Sequence, residues 1–174
     1  IGIFNRSWYE DVLVVKVHPE LVDARPLPPG DRGPAFWNER YEDISNFEQH
    51  LARNGVVVVK LFLNISKKEQ KERFLKRLNE PDKHWKFSAG DLEERRYWDD
   101  YQRAYEDALT ATSTEFAPWY VVPADHKWVA RTVVSSILTS SMRKLDLQYP
   151  QPDSEQMAEL DRARKALEQE PDSD

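Results

Sequence analysis

The sequence predicts an α/β fold in three layers, a parallel sheet with helices on both faces. Two observations carry that expectation. Residues 56–63 form an apolar run interrupted only by Lys60, the pattern of a strand buried on both faces. Helical periodicity on either side of that run, followed by a second short run at residues 119–122, gives the alternation typical of parallel sheets. Residues 1–4 (Ile-Gly-Ile-Phe) read as one further strand. Three strands are fewer than the roughly 4–6 of an ordinary sheet, and the chain opens without methionine, so an N-terminal portion with further strands is expected to precede it.

Taken in order, the apolar residues 1–4 end in Asn5-Arg6-Ser7. Residues 9–17 are ambiguous, because their valines favour a strand while Trp8, Val12 and Val15 keep helical spacing. Residues 25–34 hold four prolines and two glycines and form a loop. From Phe36 to Asn54, Tyr41, Ile44, Phe47, Glu48 and Leu51 recur at helical intervals, and Asn54-Gly55 supplies the stop. Ser66 opens a helix reaching Asn79, with Glu69 placed to complete a capping box. Residues 81–90 read as a loop. Asp91 and Glu94 open a long helix carrying Trp98, Tyr101, Tyr105 and Leu109 on one face. Residues 125–145 form the last helix of the body, with Val129, Val133 and Ile137 inward. Residues 150–174 are an acidic tail in which residues 157–167 can form a loose helix.

Composition narrows the function. Hydrophobic residues at 40% and charged residues at 32% describe a folded domain with a well-solvated surface. The absence of cysteine removes disulfides, thiolate catalysis and cysteine–metal sites. Residues 12–15 and 56–59, the longest aliphatic runs, are too short to span a bilayer. With no secretory leader, a cytoplasmic location is the expectation. The net charge of −6 is concentrated in the tail, where eight acids face three bases from Gln151 onward. Residues 60–86 are the opposite, with nine bases against four acids.

Within that basic segment, Arg73 and Arg77 stand one helical turn apart, and Lys83 and Lys86 follow on the next loop. Arginine binds phosphate oxygens through a planar fork and lysine adds a compact charge, so the four suit an anion clamp. A solvated helix face is the plainer reading of the same four, and composition does not decide. Asn5-Arg6-Ser7 follows the first predicted strand, where α/β sheets place their ligands, and an arginine there can neutralise charge on a transferred phosphoryl group. A polar strand end is an equal reading.

The four histidines are scattered singly, and Ser7 has no histidine–acid partner in view. Trp98, Tyr101 and Tyr105 read as core in preference to a base-stacking surface. Glu93, Glu94, Asp99 and Asp100 read as a solvated face. No glycine begins a GxxxxGK[ST] loop, and Gly30-Asp31-Arg32-Gly33 lies among prolines.

Several strings together resemble the family-2 polyphosphate kinases: residues 3–15 (IFNRSWYEDVLVV), residues 65–70 (ISKKEQ) with Arg73-Phe74, Asn79-Glu80-Pro81 and residues 83–88 (KHWKFS). Residues 91–93 (DLE), 98–101 (WDDY), 112–119 (TSTEFAPW) and 124–131 (ADHKWVAR) continue the match in order. It covers the chain from Ile1 to about Leu145.

The resemblance implies a P-loop kinase fold like that of thymidylate kinase, a catalytic domain over residues 1–149 with a lid at about 66–90, and residues 9–17 as helix. It implies Mg²⁺-dependent phosphoryl transfer between inorganic polyphosphate and AMP or ADP. Arg6, Arg73 and Arg77 would be catalytic, Arg6 on the transferring phosphate and the other two along the polyphosphate path with Lys83 and Lys86. Asn5, Ser7, Glu10, Lys83 and Lys86 would bind substrate, and none of these residues is expected to ligate a metal. Asn5 stands where many relatives carry aspartate. Asn-Arg-Ser followed by Tyr-Glu resembles the branch that accepts AMP as well as ADP. The family's P-loop lysine and metal-binding aspartate have no counterpart here, so this chain alone is expected to be catalytically incomplete. No nucleic-acid or membrane partner is expected, and homo-oligomerisation stays open. An ATP-dependent nucleoside monophosphate kinase and a non-catalytic polyanion-binding module are the alternatives.

Overall fold

The computed structural model describes residues 1–171. Its sheet is the parallel pair β1 (Lys60–Asn64) and β2 (Trp119–Pro123), in register from Lys60 opposite Trp119 to Asn64 opposite Pro123. The expected strand at residues 1–4 is not formed, and Ile1, Ile3 and Phe4 are exposed. Strand backbone needs a neighbour to take up its amides and carbonyls, and β1 and β2 have only each other among the described residues. For the same reason β1 begins at Lys60, leaving Val56 and Val57 exposed ahead of it. The sheet is thus smaller and less buried than the sequence suggests, although its parallel sense is as expected.

Residues 9–17 fold as helix despite their valines. Ser7 caps a 3₁₀ helix (Trp8–Val12), and α1 (Val14–Val17) and α2 (Glu20–Asp23) follow. Then α3 (Pro34–Arg53) starts with proline in its first turn, where the missing N–H is harmless. It ends on Gly55 at φ 79°, and the amides of Gly55 and Val56 bond back to the carbonyls of Ala52 and Leu51, a left-handed glycine stop.

The core forms where the first helical segment, α3 and α6 (Trp98–Thr112) meet. Tyr9, Val12, Leu13, Tyr41, Ile44, Ala104 and Ala108 are buried there. On α6 the buried stripe is therefore alanine with Thr112, and the small side chains let α3 approach closely.

One polar cluster lies inside this core. Lys60 on β1 donates to Glu48 Oε2 (2.6 Å), to the Tyr9 hydroxyl oxygen (3.0 Å) and to the Thr112 carbonyl (2.7 Å). The Tyr9 hydroxyl donates to Glu48 Oε1 at 2.9 Å. Glu48 is fully buried and Lys60 nearly so. Burial pushes the Lys60 ammonium below its ordinary value, opposed by the Glu48 carboxylate. Burial, and the Glu48 charge with it, raises the Tyr9 phenol. All three ammonium protons are engaged, which is the condition under which a buried ion pair is tolerated.

Between the strands come α4 (Lys67–Asn79), a 3₁₀ turn (Pro81–Lys86), α5 (Ala89–Glu94) and a second 3₁₀ turn (Arg95–Tyr97) leading into α6. The single long helix expected from Asp91 is thus two helices, opening earlier on the Ser88 cap and broken at Arg95. The capping box at Ser66 is half made. Ser66 Oγ accepts from the Glu69 amide at 3.0 Å, but the Ser66 amide donates to Asp125 Oδ1 and the Glu69 carboxylate takes Arg73 instead.

After β2, α7 (Lys127–Lys144) keeps Val129, Val133 and Ile137 on a half-buried face. The chain divides at residue 138 into two compact units. The second unit contains α8 (Ser154–Glu168), which Asp153 and Gln156 start with a complete capping box, three residues ahead of the predicted helix.

Candidate functional site

Parallel pairing brings the carboxyl ends of β1 and β2 to the same side. Asn64 and Ile65 lead into α4 there, and Ala124 and Asp125 lead into α7. Two contacts tie these exits together. The Ser66 amide donates to Asp125 Oδ1 at 2.7 Å, which holds that carboxyl below its usual range. Arg73 Nη2 donates to the carbonyls of Ala124 (2.7 Å) and Asp125 (3.1 Å), while its Nε donates to Glu69 (2.7 Å).

Against the carboxyl-terminal part of β1, at Phe62, Leu63 and Asn64, lies a cleft of about 430 Å³ walled by α4, α5 and α6. Phe62 and Tyr105 stack at its base, 4.4 Å between centroids and 28° between planes. Trp98, Phe74, Arg77 and Arg95 also line it. Arg95 donates to Gln70 Oε1 at 2.6 Å, and Arg77 Nη1 lies 3.8 Å from Asp91. Burial raises the Tyr105 phenol, and the charge of Glu10 adds to the effect. Trp98 and Tyr101 of the aromatic stripe are therefore half-buried lining of an open cleft, while Tyr105 lines it and also packs against the core.

Each residue expected at the site can now be placed. Arg6 is largely exposed, with Nε 3.4 Å from Glu10, and Asn5 is exposed beside it. Ser7 serves as a cap, accepting from the Tyr9 amide at 3.4 Å. Lys83 is engaged by Glu80, and Lys86 Nζ stands 4.9 Å from the centroid of Trp85. Of the paired arginines only Arg77 faces the cleft, since Arg73 is committed to the strand exits. The four cations are thus divided between different tasks.

Sequence reasoning missed Arg95, Gln70 and Phe62. The available signal was Arg95-Arg96 directly ahead of the aromatic stripe, a basic pair where the long helix was expected to run unbroken.

The far wall of the cleft is tied back to the N-terminal segment. His18 Nε2 lies 3.0 Å from Glu94 Oε2 and its Nδ1 lies 3.3 Å from Glu20, while the Tyr101 hydroxyl donates to Glu94 at 2.8 Å. The bond to Glu94 raises the imidazole above its ordinary 6.5, and the bond from His18 lowers the Glu94 carboxyl below its ordinary 4.5. The histidine contribution to stability is complete below pH 6.5 and is lost as pH rises through the raised folded value. The glutamate contribution is present above pH 4.5 and is lost as pH falls through the lowered one. Melting temperatures of the wild type and His18→Gln should therefore differ most near pH 5–6 and converge above neutrality. An equal difference at pH 6 and pH 9 would remove the histidine from this account.

A cleft at the carboxyl end of a parallel strand, lined by aromatic rings and a few charged groups, is the ligand-site arrangement of α/β proteins. Within that class, this chain belongs to the polyphosphate kinase 2 family, whose family model matches residues 1–150. It is 51% identical over 168 residues to an ADP-polyphosphate phosphotransferase of Rhodopseudomonas palustris, covering 96% of this chain and 58% of that protein. It is 50% identical over 152 residues to an AMP/ADP-polyphosphate phosphotransferase of Meiothermus ruber, covering 87% and 53%. The crystal structure of polyphosphate kinase 2 from Arthrobacter aurescens superposes with a TM-score of 0.81 at 46% identity, covering 94% of this chain and 54% of that one. The chain thus spans a little over half the length of these relatives.

Proposed function

We propose that this chain is part of an enzyme moving a phosphoryl group between inorganic polyphosphate and AMP or ADP. The observation that carries the reading is Arg77 facing the cleft beside the carboxyl-terminal part of β1, in a chain of this family. The two relatives above are phosphotransferases for polyphosphate with ADP, or with AMP and ADP. In this reading the small sheet is part of a three-layer, P-loop-kinase-like fold, and residues 66–90 act as its lid.

A terminal phosphate oxygen of the nucleotide attacks the terminal phosphorus of polyphosphate. One P–O bond forms, one anhydride bond breaks, and the polyphosphate leaves one unit shorter. The transition state spreads charge over the transferred oxygens, so positive groups and exclusion of water matter more than covalent chemistry. In this reading Arg6, largely exposed, and Arg77, facing the cleft, meet that charge. Arg73 contributes by fixing α4 to the strand exits, and Lys83 and Lys86 contribute once polyphosphate displaces their present partners. Glu10 steers Arg6.

No group of three or more histidine, aspartate or glutamate side chains suited to a metal ion occurs among the described residues. These residues do not by themselves build a magnesium cage, and magnesium belongs to this reading as an ion carried by the phosphates. No helix among the described residues is long and apolar enough to cross a membrane; a cytoplasmic enzyme, with self-association open, completes the reading.

The test is single-turnover formation of ATP from polyphosphate, magnesium and ADP or AMP, with ATP as donor in a control. It is run on this chain and on a chimera carrying the portion of the Rhodopseudomonas relative that this chain does not cover. Turnover with polyphosphate in the chimera supports the reading. Turnover with ATP alone replaces it with a nucleoside monophosphate kinase, and binding of polyphosphate without turnover in either form replaces it with a polyanion-binding module.

A further inference from the structure

We infer that the Tyr9 hydroxyl positions Arg6. Held by Glu48 and Lys60, it sets the angle at which the 3₁₀ helix Trp8–Val12 presents Glu10, and with it the Arg6 guanidinium, to the transferred phosphoryl group. The inference rests on the proposed phosphotransferase reading and adds to it a positioning residue that does not itself touch substrate.

Three contacts hold Arg6 and Ser7, and each ends on Tyr9 or Glu10. The Tyr9 amide donates to Ser7 Oγ at 3.4 Å, and the Glu10 amide donates to the Ser7 carbonyl at 3.2 Å. Arg6 Nε lies 3.4 Å from Glu10 Oε1. Residues 5–7 belong to no helix or strand, so the placement of Arg6 is inherited from the 3₁₀ helix that follows.

A 3₁₀ helix has about three residues per turn, which gives this one three faces. Tyr9 and Val12 share the inward face, and both are buried. Trp8 and Asp11 share the second, against Phe47 and Arg25. Glu10 stands on the third. Burial raises the Tyr105 phenol and the charge of Glu10 adds to it, so this face looks toward the cleft that Tyr105 lines. Turning the helix about its axis moves Glu10 through the same angle as Tyr9.

Apolar packing at Val12 fixes that angle poorly, because the hydrophobic effect is non-directional. Hydrogen bonds are directional, and the Tyr9 hydroxyl makes two. It donates to Glu48 Oε1 at 2.9 Å and accepts from Lys60 Nζ at 3.0 Å. Lys60 is held in turn by Glu48 and the Thr112 carbonyl. Lys60 also opens β1, the strand whose other end lines the cleft with Arg77. One buried ammonium thus ties the Arg6 segment and the cleft wall to a common frame.

The experiment is a double-mutant cycle, Tyr9→Phe crossed with Arg6→Ala, in the form of the chain that supports turnover. Tyr9→Phe keeps the ring against Trp119 and the bond from Lys60 to Glu48, and removes the hydroxyl. It is expected to lower kcat about tenfold with KM for AMP and polyphosphate unchanged. Where Arg6 is already alanine, it should cost less than about twofold. The combination of Tyr9→Phe with Glu48→Leu and Lys60→Met removes the anchor together with its charges. It should show the same kcat loss and the same dependence on Arg6, and it replaces Tyr9→Phe if that variant does not fold. Val22→Ala, which truncates a buried side chain in α2, should lower the melting temperature and keep kcat within about twofold of wild type. An equal fold-loss from Tyr9→Phe with and without Arg6 makes the hydroxyl purely structural and overturns the inference. A kcat loss in Val22→Ala as large as that in Tyr9→Phe does the same.

Residual dipolar couplings of the backbone amides, measured by NMR on the full chain, need no turnover. In Tyr9→Phe the couplings of residues 9–12 should depart from their wild-type values while those of α3 keep theirs. Couplings unchanged in both elements overturn the inference. If no form of the chain transfers phosphate, the phosphotransferase reading falls by itself, and these couplings alone decide whether Tyr9 sets the angle.

Discussion

Replacing Glu48 with leucine is expected to destabilise the chain by about 3–5 kcal/mol, because it strands a buried ammonium. Lys60 lies inside the core against the Tyr9 and Trp119 rings, and Glu48 is its one anionic partner among the described residues. Losing the ammonium as well should be far milder. Glu48→Leu combined with Lys60→Met and Tyr9→Phe removes the charges and the phenol together, so less is left desolvated without a partner. Similar-volume apolar replacements of buried pairs are often close to neutral. The Thr112 carbonyl still loses its donor, so the triple variant is expected about 1–3 kcal/mol below wild type. Urea unfolding of the single and triple variants measures this. A triple variant as unstable as Glu48→Leu would show that the cluster does not act as a pair.

The second large effect separates two arginines that the sequence makes look alike. Arg77→Ala is expected to lower the rate of phosphoryl transfer on the order of 10²-fold, by analogy with the loss of other single electrostatic donors. Its pairing with Asp91 is long and half-exposed, so the melting temperature should hardly move. Arg73→Ala should behave differently. It removes two hydrogen bonds to the strand-exit carbonyls and the bond to Glu69, a loss of roughly 1–3 kcal/mol. Both variants are to be assayed for ATP formation and melting in whichever form of the chain supports turnover. Equal rate losses with equal melting shifts would show that the division of labour is wrong.

Much of the fold was legible because its signals are local. The spacing of Tyr41, Ile44 and Glu48 with the Asn54-Gly55 stop defines α3, and Ser66 defines the start of α4. Where the sequence misled, the deciding term was a partner distant in the chain. Val56 and Val57 are as strand-prone as the residues of β1, yet only the residues opposite β2 pair. Trp98, Tyr101 and Tyr105 share a helix face, but periodicity does not say whether that face is covered. Ser66 and Glu69 have the spacing of a capping box, and Asp125 and Arg73 compete for both halves of it. Lys60 is the instructive case. A lone lysine in an apolar run and a glutamate on the inward face of the preceding helix each look like an irregularity. Together they are a matched pair across 12 positions.

The two fastenings at the start of α4 make that helix a lever. Ser66 and Arg73 are held to the exit of β2, so the first two turns cannot swing without breaking those bonds. The remainder, from Arg73 to Asn79, is about 9 Å of helix. Pivoting there by about 20° carries the far end only about 3 Å, and Lys83 and Lys86 are hinged onto that end through Pro81. Movement over this cleft is therefore geared low: small at Arg77, larger at the two lysines.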